Sequence, residues 1–349
     1  MPCCGAAGRI FAEVDKAIAL VMINSIMNSL YHKLACALVV AFFACAAQAQ
    51  YWPSKPIRVV VPYLPGPTDG VLRLMSPRMQ ELFGQPLIIE NRAGANGTIG
   101  ANLVALSAPD GYTLLLTNAN PLVFGPATQS NVPYDPVKDF TPLMAIAEGI
   151  DVLVATPSLP VGSVKELVQY ARANPGKLFY ASPGRGSGQH LNGQNFNRLA
   201  RTDLTPVHYA SYAQIIPAVL SGQVQLAFLI LQPIKSLVDS GKLKLLAVQG
   251  REGLEAVPGV PVIGDTLAGY QKSPGWTGLF GPAKLPKAIV DRVHSAALEA
   301  INAPGMRSRL AEGGSRVIAN TPSEFATALS VQVEQTARMV KELGINVSE

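Results

Sequence analysis

The sequence predicts an α/β fold of two lobes, each with a mainly parallel sheet flanked by helices. Runs of β-branched and apolar residues alternate with amphipathic stretches at helical spacing, which is typical of right-handed βαβ units. The alternation restarts at residue 151 after an apolar stretch. The chain has 349 residues, 48% of them apolar, which is enough for two substantial cores. We therefore predict lobe 1 at 50–150 plus 274–349 and lobe 2 at 151–273.

Lobe 1 begins with a nearly continuous β-branched run at 57–61, which indicates a strand buried on both faces. Apolar residues at helical spacing follow at 69–83, where Pro77 lies inside the predicted helix and Gly84 ends it. The other predicted elements before residue 150 are strands at 87–89 and 112–116 and a helix at 99–105.

Lobe 2 repeats the same alternation. Its predicted strands cover 151–155, 178–181, 205–209, 224–228 and 243–248, and its predicted helices cover 164–173, 190–199 and 212–220. A strand at 276–280 is expected to return to the first sheet, followed by helices at 287–301 and 322–343. The chain then crosses twice between the lobes, and a cleft is expected at the carboxyl ends of both sheets.

Two short loops, at 59–69 and 180–190, carry the functional prediction. Each runs from a strand end through Pro and Gly into a helix, so its free backbone N–H groups and positive helix end face one point. Anions bind at such points without a charged side chain. An ordinary βα turn is the alternative for either loop alone. Together, the two loops predict a two-lobed binder of small carboxylates.

The residues expected to bind the ligand are Tyr63, Gly66, Thr68, Asp69, Asn118, Ser182, Gly184, Ser187, Tyr209 and Trp276. The hydroxyl groups among them are expected to donate hydrogen bonds beside the backbone N–H groups. Asp69 lies in the first turn of its helix, where it complements the helix dipole and would repel an adjacent carboxylate. Tyr63 and Trp276 suit either the core or, as neighbours of the loop tips, the cleft.

Enzymatic and metal sites are not predicted. Ser187, His190 and Asp69 permit a hydrolase triad, but Arg185 occupies the first glycine position of a Gly-x-Ser-x-Gly elbow. Binding or helix capping is the favoured role for Ser187. His190 and His208 lack carboxylates at ligand spacing, and no phosphate-binding or dinucleotide motif occurs in the sequence. We therefore expect no metal and no cofactor.

The first 49 residues predict a signal peptide. An uncharged apolar core at 34–44 is followed by an Ala-x-Ala signature, so cleavage is expected between Ala49 and Gln50. Neither this run nor the apolar run before it reaches the roughly 20 residues that a membrane span needs. Met22 and Met27 are alternative start positions. The sequence thus indicates export to the periplasm.

Cysteine usage and charge exclude several kinds of chemistry and one class of partner. All four cysteines precede Gln50, so the mature chain would have no disulfide, thiolate nucleophile or cysteine metal site. Lipid attachment at Cys45 is the alternative form of export. The net charge is +5, but no run of Lys and Arg interleaved with aromatic residues occurs. Nucleic acid is therefore not expected as a partner.

Seven segments follow a known family pattern in order: WPSKPIRVVVP at 52–62, ENRAGANG at 90–97, APDGYTLL at 108–115, PYDPVKDF at 133–140, NPGKL at 174–178, GQV at 222–224 and PAKLPKAIV at 282–290. With these motifs the sequence resembles the extracytoplasmic solute receptors of tripartite tricarboxylate transporters, also called Bug receptors. The resemblance extends through nearly the whole mature chain.

This resemblance implies a periplasmic-binding-protein (Venus flytrap) fold, with a carboxylated ligand held by both loops. It also implies delivery of that ligand to the permease subunits of an ion-gradient-driven transporter, and we expect a monomer. The alternatives are a secreted hydrolase on the same scaffold and a receptor that signals through a two-component sensor.

The sequence departs from the family at the predicted site. The first loop reads PGPTD at 65–69, one glycine short of the usual pattern, which should reshape that half of the site. Gln225 and Leu229 stand where the family usually has acids. Their replacement predicts a ligand without an amino group, set against aromatic side chains.

Overall fold

A computed structural model of the chain describes residues 52–345 except 210, 256 and 313, together with residues 22 and 27. The described residues from Lys55 onward form one compact unit. The expected cleavage site, Cys45 and all but two residues of the expected signal peptide lie outside the described residues. Among the helices described, none is long and apolar enough to cross a bilayer.

Six strands form the first sheet. They are β1 (Ile57–Val61), β2 (Leu87–Asn91), β3 (Thr113–Asn118), β4 (Phe140–Gly149), β10 (Trp276–Pro282) and β11 (Ser315–Val317). Their order across the sheet is β11-β4-β10-β3-β1-β2. Strand β1 is parallel to β2 and β3, whereas β10 is antiparallel to β3 and β4, and β11 is antiparallel to β4. The strand that starts at Trp276 therefore lies in the middle of the first sheet.

Five strands form the second sheet. They are β5 (Asp151–Ala155), β6 (Phe179–Ser182), β7 (Thr205–His208), β8 (Leu226–Ile230) and β9 (Lys244–Val248). Their order is β7-β6-β8-β5-β9, with β6 parallel to β7 and β8. Strand β5 is antiparallel to both of its neighbours, β8 and β9.

Both sheets are mixed, which corrects the prediction of mainly parallel sheets. The parallel pairs come from the alternating strand–helix segments, because parallel neighbours need a crossover connection. Strands β4 and β5 are separated only by Ile150, so β5 enters the second sheet without a crossover helix and runs against its neighbours. Strand β10 likewise runs against its neighbours where the chain returns.

The helices lie between and after the strands. They are α1 (Pro67–Phe83), α2 (Thr98–Ala105), α3 (Gly125–Thr128), α4 (Val164–Ala173), α5 (Gly188–Ala200), α6 (Tyr212–Leu220), α7 (Lys235–Asp239), α8 (Ile263–Thr266), α9 (Lys287–Ile301), α10 (Met306–Glu312) and α11 (Pro322–Glu342). Single 3₁₀ turns occur at Ala95–Gly97, Gln232–Ile234 and Arg251–Gly253, and a π-helical turn at Asn120–Phe124 leads into α3.

The boundaries of α1 illustrate the local rules. The helix begins at Pro67, two residues before the predicted start, because proline suits the first helical position. Pro77 lies inside α1 without ending it. Gly84 ends the helix as predicted: it has φ of 65°, and its N–H donates to the Gln80 carbonyl.

The second sheet is covered on both faces. Neighbouring residues of β5 pack in different clusters, Leu153 with Phe196 and Phe228, and Val152 with Ile215. This explains why the strands read as continuous apolar runs instead of alternating ones. With both faces covered, the strand ends are left as the accessible edge.

Candidate functional site

A cavity of about 170 Å³ lies where the carboxyl ends of β3 and β8 and the loop after β6 meet the amino end of α5. It is lined by Asn118, Ala119, Asn120, Phe124, Asp151, Pro183, Gly188, Gln189, Asn192, Tyr212, Ile230, Ser273, Pro274 and Gly275. Both lobes and both crossings of the chain contribute to its walls. Ligands of open α/β folds bind at this position, so this cavity is the candidate site.

Two larger grooves, of about 630 and 650 Å³, follow the crossings and the carboxyl-terminal part of the chain. The first contains Trp276, and the second contains Arg251 and Arg307. Neither groove contains a residue of the two predicted loops. The volume of a cavity therefore does not identify the site. We choose the smaller cavity because it lies at the ends of the strands.

The wall from lobe 1 presents the side-chain amide of Asn118. Its Oδ1 atom accepts hydrogen bonds from the Tyr63 hydroxyl at 2.6 Å and from the Asn120 backbone N–H at 2.9 Å. Because two donors occupy this oxygen, the amide orientation is defined and Nδ2 is left as the donor that the side chain can offer to a ligand. Burial raises the pKa of Tyr63, which keeps its hydroxyl neutral and able to donate.

The wall from lobe 2 is the amino end of α5. Ser187 caps the helix: its Oγ accepts from the His190 N–H at 3.3 Å and donates to the Gly184 carbonyl at 2.7 Å. The first N–H groups of a helix have no acceptor within it. Those of Gly188 and Gln189, which line the cavity, are thus available to an anion.

Glycine at position 188 allows the lobes to approach each other. A Cβ atom there would lie 2.9 Å from the Phe124 ring and 3.3 Å from the Ser273 Cβ. The first distance is shorter than normal contacts of a Cβ atom, and the second is at the tight limit of such contacts. The two walls of the cavity are therefore in direct contact at this point.

A pair of histidines supports the second loop. The His190 Nδ1 accepts from the Gly186 N–H at 3.1 Å, and the Ser182 Oγ lies 2.7 Å from the His208 Nδ1. The two rings meet edge to face with centroids 5.0 Å apart. Burial, His208 and Arg185 lower the pKa of His190 to about 4. The neutral ring is what its acceptor role requires.

These contacts do not form the triad that the sequence permits. Ser187 Oγ contacts the backbone of His190, while the imidazole accepts from Gly186 instead of the serine hydroxyl. Asp69 is bonded within its own loop and helix. The residues named for a triad thus serve capping and loop support.

The first loop is organised around Asp69, which is 1% exposed. Its carboxylate accepts from the Gly66 N–H and from the Arg73 Nε, both at 2.6 Å. Asp69 therefore closes the loop onto the first turn of α1. The Thr68 hydroxyl has no hydrogen-bond partner among the described residues. None of these residues lines the cavity.

Trp276 lies in the core of lobe 1, and Tyr209 packs beside the core of lobe 2. Trp276 is buried, donates from Nε1 to Gln332 Oε1 at 2.8 Å, and packs edge to face on Phe325. Tyr209 packs against the second-lobe core, and no described residue bonds its buried hydroxyl. Neither residue is part of the cavity wall.

The two replaced acids lie away from the cavity. Gln225 accepts from the Phe179 N–H at 3.0 Å and donates to the Gly222 carbonyl at 3.1 Å, at the amino end of β8. Leu229 is fully buried in the second-lobe core. Neither residue lines the cavity, so no contact at this site supports the prediction of a ligand without an amino group, which stays a prediction.

Sequence reasoning missed the acidic residue of the site. Asp151, the first residue of β5, lines the cavity and accepts from the Lys272 Nζ at 3.1 Å. Glu148 and Glu252 contact the same ammonium group at 3.3 and 3.0 Å. Burial raises the pKa of Asp151 against the effect of Lys272. Burial lowers the pKa of Lys272, but the carboxylates outweigh it and raise the pKa overall.

Four further polar side chains complete the same end of the cavity. Gln189 Nε2 donates to the Tyr212 hydroxyl at 3.0 Å, and Asn192 Oδ1 accepts from the Ser273 N–H at 2.8 Å. The Ser273 Oγ is buried, with no hydrogen-bond partner among the described residues. Within the same described part of the chain, no cluster of His, Cys, Asp or Glu could hold a metal.

Two α/β lobes joined by two crossings, with a small polar cavity at their strand ends, define the class of two-lobed solute-binding proteins. Residues 71–345 match the family model described as "Tripartite tricarboxylate transporter family receptor". The chain belongs to this family, which confirms the resemblance carried by its motifs. A UPF0065 protein of Bordetella bronchiseptica is 32% identical over 301 residues, covering 86% of this chain and 89% of the relative.

Solved structures confirm the fold. A periplasmic transporter is 34% identical, with a TM-score of 0.75, covering 85% of this chain and 100% of that one. R. palustris Rpa4515 with adipate is 29% identical, with a TM-score of 0.76 and coverage of 84% and 99%. MatC from Rhodopseudomonas palustris with bound malate is 31% identical, with a TM-score of 0.72 and coverage of 83% and 100%.

Proposed function

We propose that this protein is an extracytoplasmic receptor that captures a small carboxylate between its lobes for an ion-gradient-driven tripartite transporter. Family membership supports the receptor role. Two solved relatives support the ligand class, since one holds adipate and the other holds malate.

The observation that carries the proposal is a pair of donor groups on facing walls of one cavity. Asn118 lines the cavity from lobe 1 and has Nδ2 as its remaining donor, while Gly188 and Gln189 line it from lobe 2 with their N–H groups at the positive end of α5. A carboxylate has two oxygens, so it bridges donors from both walls. Because the donors belong to different lobes, the bound ligand holds the lobes together.

The cavity volume favours a small ligand. At about 170 Å³ it lies below the roughly 300–1,000 Å³ that is usual for drug-sized ligands. Within the part of the chain that the structure describes, the cavity lining contains no Lys or Arg, so the ligand charge is met by amide N–H groups and the helix dipole. This agrees with the expectation that the two loops bind an anion without a charged side chain.

The candidate residues take two roles in this proposal. Asn118 contacts the ligand, whereas Tyr63, Ser182 and Ser187 position the groups that do. The proposed contacts of the other candidates stay predictions for ligand binding: Gly66, Thr68, Asp69, Gly184, Tyr209 and Trp276.

Ligand screening tests the proposal directly. Small mono- and dicarboxylates are added to the purified protein, and thermal unfolding and ligand consumption are followed together. A ligand at 100 times its dissociation constant should add about 2.7 kcal/mol to the free energy of unfolding and remain unconsumed. Turnover that disappears in Ser187→Ala would support the hydrolase instead.

Asn118→Asp tests the lobe 1 contact. The aspartate keeps an oxygen for the Tyr63 hydroxyl and the Asn120 N–H, but replaces the Nδ2 donor with a charged acceptor. Titration calorimetry should show at least about a tenfold loss of carboxylate affinity. Asn302→Asp makes the same charge change at an exposed position and should bind as the wild type does. Equal affinities of the two variants would contradict the proposed contact.

Delivery requires export and a membrane partner. We propose that the signal peptide is cleaved near Ala49 and that a monomeric receptor docks on the permease subunits. Uptake of the identified ligand by cells lacking the receptor should return with the wild-type chain and fail with Asn118→Asp. Uptake independent of the receptor would contradict this role and leave the sensory alternative.

A further inference from the structure

Asp151 places a carboxylate in a site that receives carboxylates. It is 7% exposed and lines the cavity, and a Cβ atom at Gly275 would lie 2.9 Å from its Oδ2. One side of the carboxylate is thus covered by the second crossing of the chain. Its Oδ2 accepts from Lys272, and its position on the cavity wall leaves acceptor capacity for a ligand.

The surrounding charges do not neutralise Asp151 fully. Lys272 is shared among Asp151, Glu148 and Glu252 at 3.0–3.3 Å, and Arg316 contacts Glu148 at 3.0 Å. Three carboxylates therefore face two cations, which leaves one net negative charge. Of the three, Asp151 alone lines the cavity, so this charge acts on whatever occupies it.

Ser273 provides an independent indication of a ligand group at this end. It is 5% exposed and lines the cavity, yet no described residue bonds its Oγ. A buried hydroxyl without a partner is costly, so a ligand group that pairs with it gains affinity. Asp151 thus calls for a ligand atom that carries hydrogen, and the Ser273 hydroxyl, which can donate or accept, can pair with the same ligand group.

We propose that the cleft selects a monocarboxylate whose far end carries an ammonium or hydroxyl donor, received by Asp151 and Ser273. This inference rests on the proposed function, because the single carboxylate is held by Asn118 and α5. A second carboxylate would meet the partly compensated charge of Asp151 in a poorly hydrated cavity, where like charges repel strongly. The site should therefore differ from those of the relatives that hold adipate and malate.

Matched acids provide the test. Butyrate, succinate, 4-hydroxybutyrate and 4-aminobutyrate share a four-carbon backbone and differ at the far end, and the sets one carbon shorter and longer cover ligand length. Titrations are run at pH 8, because burial raises the pKa of Asp151. The best ammonium- or hydroxyl-terminated acid should bind at least about tenfold more tightly than the dicarboxylate of its length.

Asp151→Asn should abolish this preference, while Glu252→Gln should retain it. Glu252 contacts the same lysine at 3.0 Å but does not line the cavity, so it controls for the loss of charge around Lys272. Tighter binding of dicarboxylates by the wild type, or an unchanged preference in Asp151→Asn, would overturn the inference and leave the proposed function standing. If none of the acids binds, the proposed function itself fails.

Ser273→Ala keeps the test decisive if Asp151→Asn does not fold. The alanine removes a hydroxyl that has no partner among the described residues, so the fold should be retained. Affinity for the donor-terminated acid should fall about three- to tenfold, with succinate unchanged. Equal losses for both acids, or no loss for either, would contradict the assigned contact.

Discussion

The second loop is held by side-chain contacts that begin at Ser182 and end at His190. Ser182 bonds the His208 ring, which packs edge to face on the His190 ring. His190 in turn accepts from the Gly186 N–H, within the turn that leads into α5. The position of the amino end of α5, which is the proposed anion contact, thus depends on a neutral histidine. Protonation of that histidine should loosen the loop.

His190 should make stability depend on pH in a defined window. Burial lowers its pKa in the folded protein to about 4, against 6.5 when unfolded. Below about pH 6.5 the unfolded state binds the proton first, so stability falls as pH falls and the loss levels off near pH 4. Between pH 8 and pH 5 this amounts to about 2 kcal/mol.

Urea unfolding at the two pH values measures this loss. His190→Asn retains an acceptor near the Gly186 N–H but does not titrate, so it should reduce the pH sensitivity by that amount. His294→Asn, on α9, controls for the removal of a histidine elsewhere. A pH profile that His190→Asn leaves unchanged would refute the assignment.

Ser187 should matter to stability more than to ligand contact. Loss of a helix-capping hydroxyl costs about 1 kcal/mol, so Ser187→Ala should lower the free energy of unfolding by that amount. Ser163→Ala is the matched control, since Ser163 caps α4 through the Glu166 N–H at 3.2 Å. Chemical denaturation and titration of both variants separate the roles. A large loss of affinity in Ser187→Ala, without one in Ser163→Ala, would instead indicate that Ser187 contacts the ligand directly.

The predictable part of the site is its backbone. The pattern of strand, glycine turn and helix identified the amino end of α5, because that geometry is local in sequence. Asp151 and Ser273 were not predicted, because their role depends on two crossings that lie more than a hundred residues apart in the chain. The available sequence signal for Asp151 was its position as a lone acidic residue at the start of an apolar strand.

At the scale of elements, hydrophobic periodicity predicted the strands and helices whose apolar residues recur at regular spacing. The strands at 57–61 and 151–155 and the helices at 164–173, 212–220 and 287–301 have the predicted bounds. The pattern did not predict β4 or β11 as strands. Strand β4 contains a proline and a long apolar run without turn residues, and β11 has three residues and depends on pairing with β4.

Two glycines in helix interiors should respond oppositely to alanine. At Gly193 in α5 a Cβ atom would lie 2.3 Å from the buried Tyr180 ring, so Gly193→Ala should cost at least about 1–3 kcal/mol. At Gly70 in α1 no atom lies within 4 Å, so Gly70→Ala should add roughly 0.5–1 kcal/mol. Thermal and urea unfolding give the sign of each. Stabilisation by Gly193→Ala would show that α5 is looser than its packing indicates.

At the scale of the molecule, two antiparallel connections unite the lobes. The first passes from β4 to β5 through Ile150, and the second reaches β10 through the segment that contains Lys272. Lys272 links both connections through Glu148 and Asp151, with little exposure to solvent. Relative motion of the lobes must therefore be absorbed by few backbone angles.

The mature chain should begin at Gln50. The Ala-x-Ala signature after an uncharged apolar core predicts cleavage at this bond. Intact mass spectrometry of protein recovered from the periplasm measures it, and a variant with Ala49 changed to a bulky residue should remain unprocessed. A different first residue, or lipid on Cys45, would contradict the prediction.

The central place of β10 also determines the order in which the chain can fold. The second sheet is continuous in sequence, so it is complete once the chain has emerged to Val248. Strand β10 must enter between β3 and β4, so the first sheet stays open until Pro282 is available. Long-range pairing of this kind is slow, and a nascent chain shorter than this keeps an unfilled position in its sheet. For a chain that must cross a membrane unfolded, this delay leaves more time for export before the first sheet is complete.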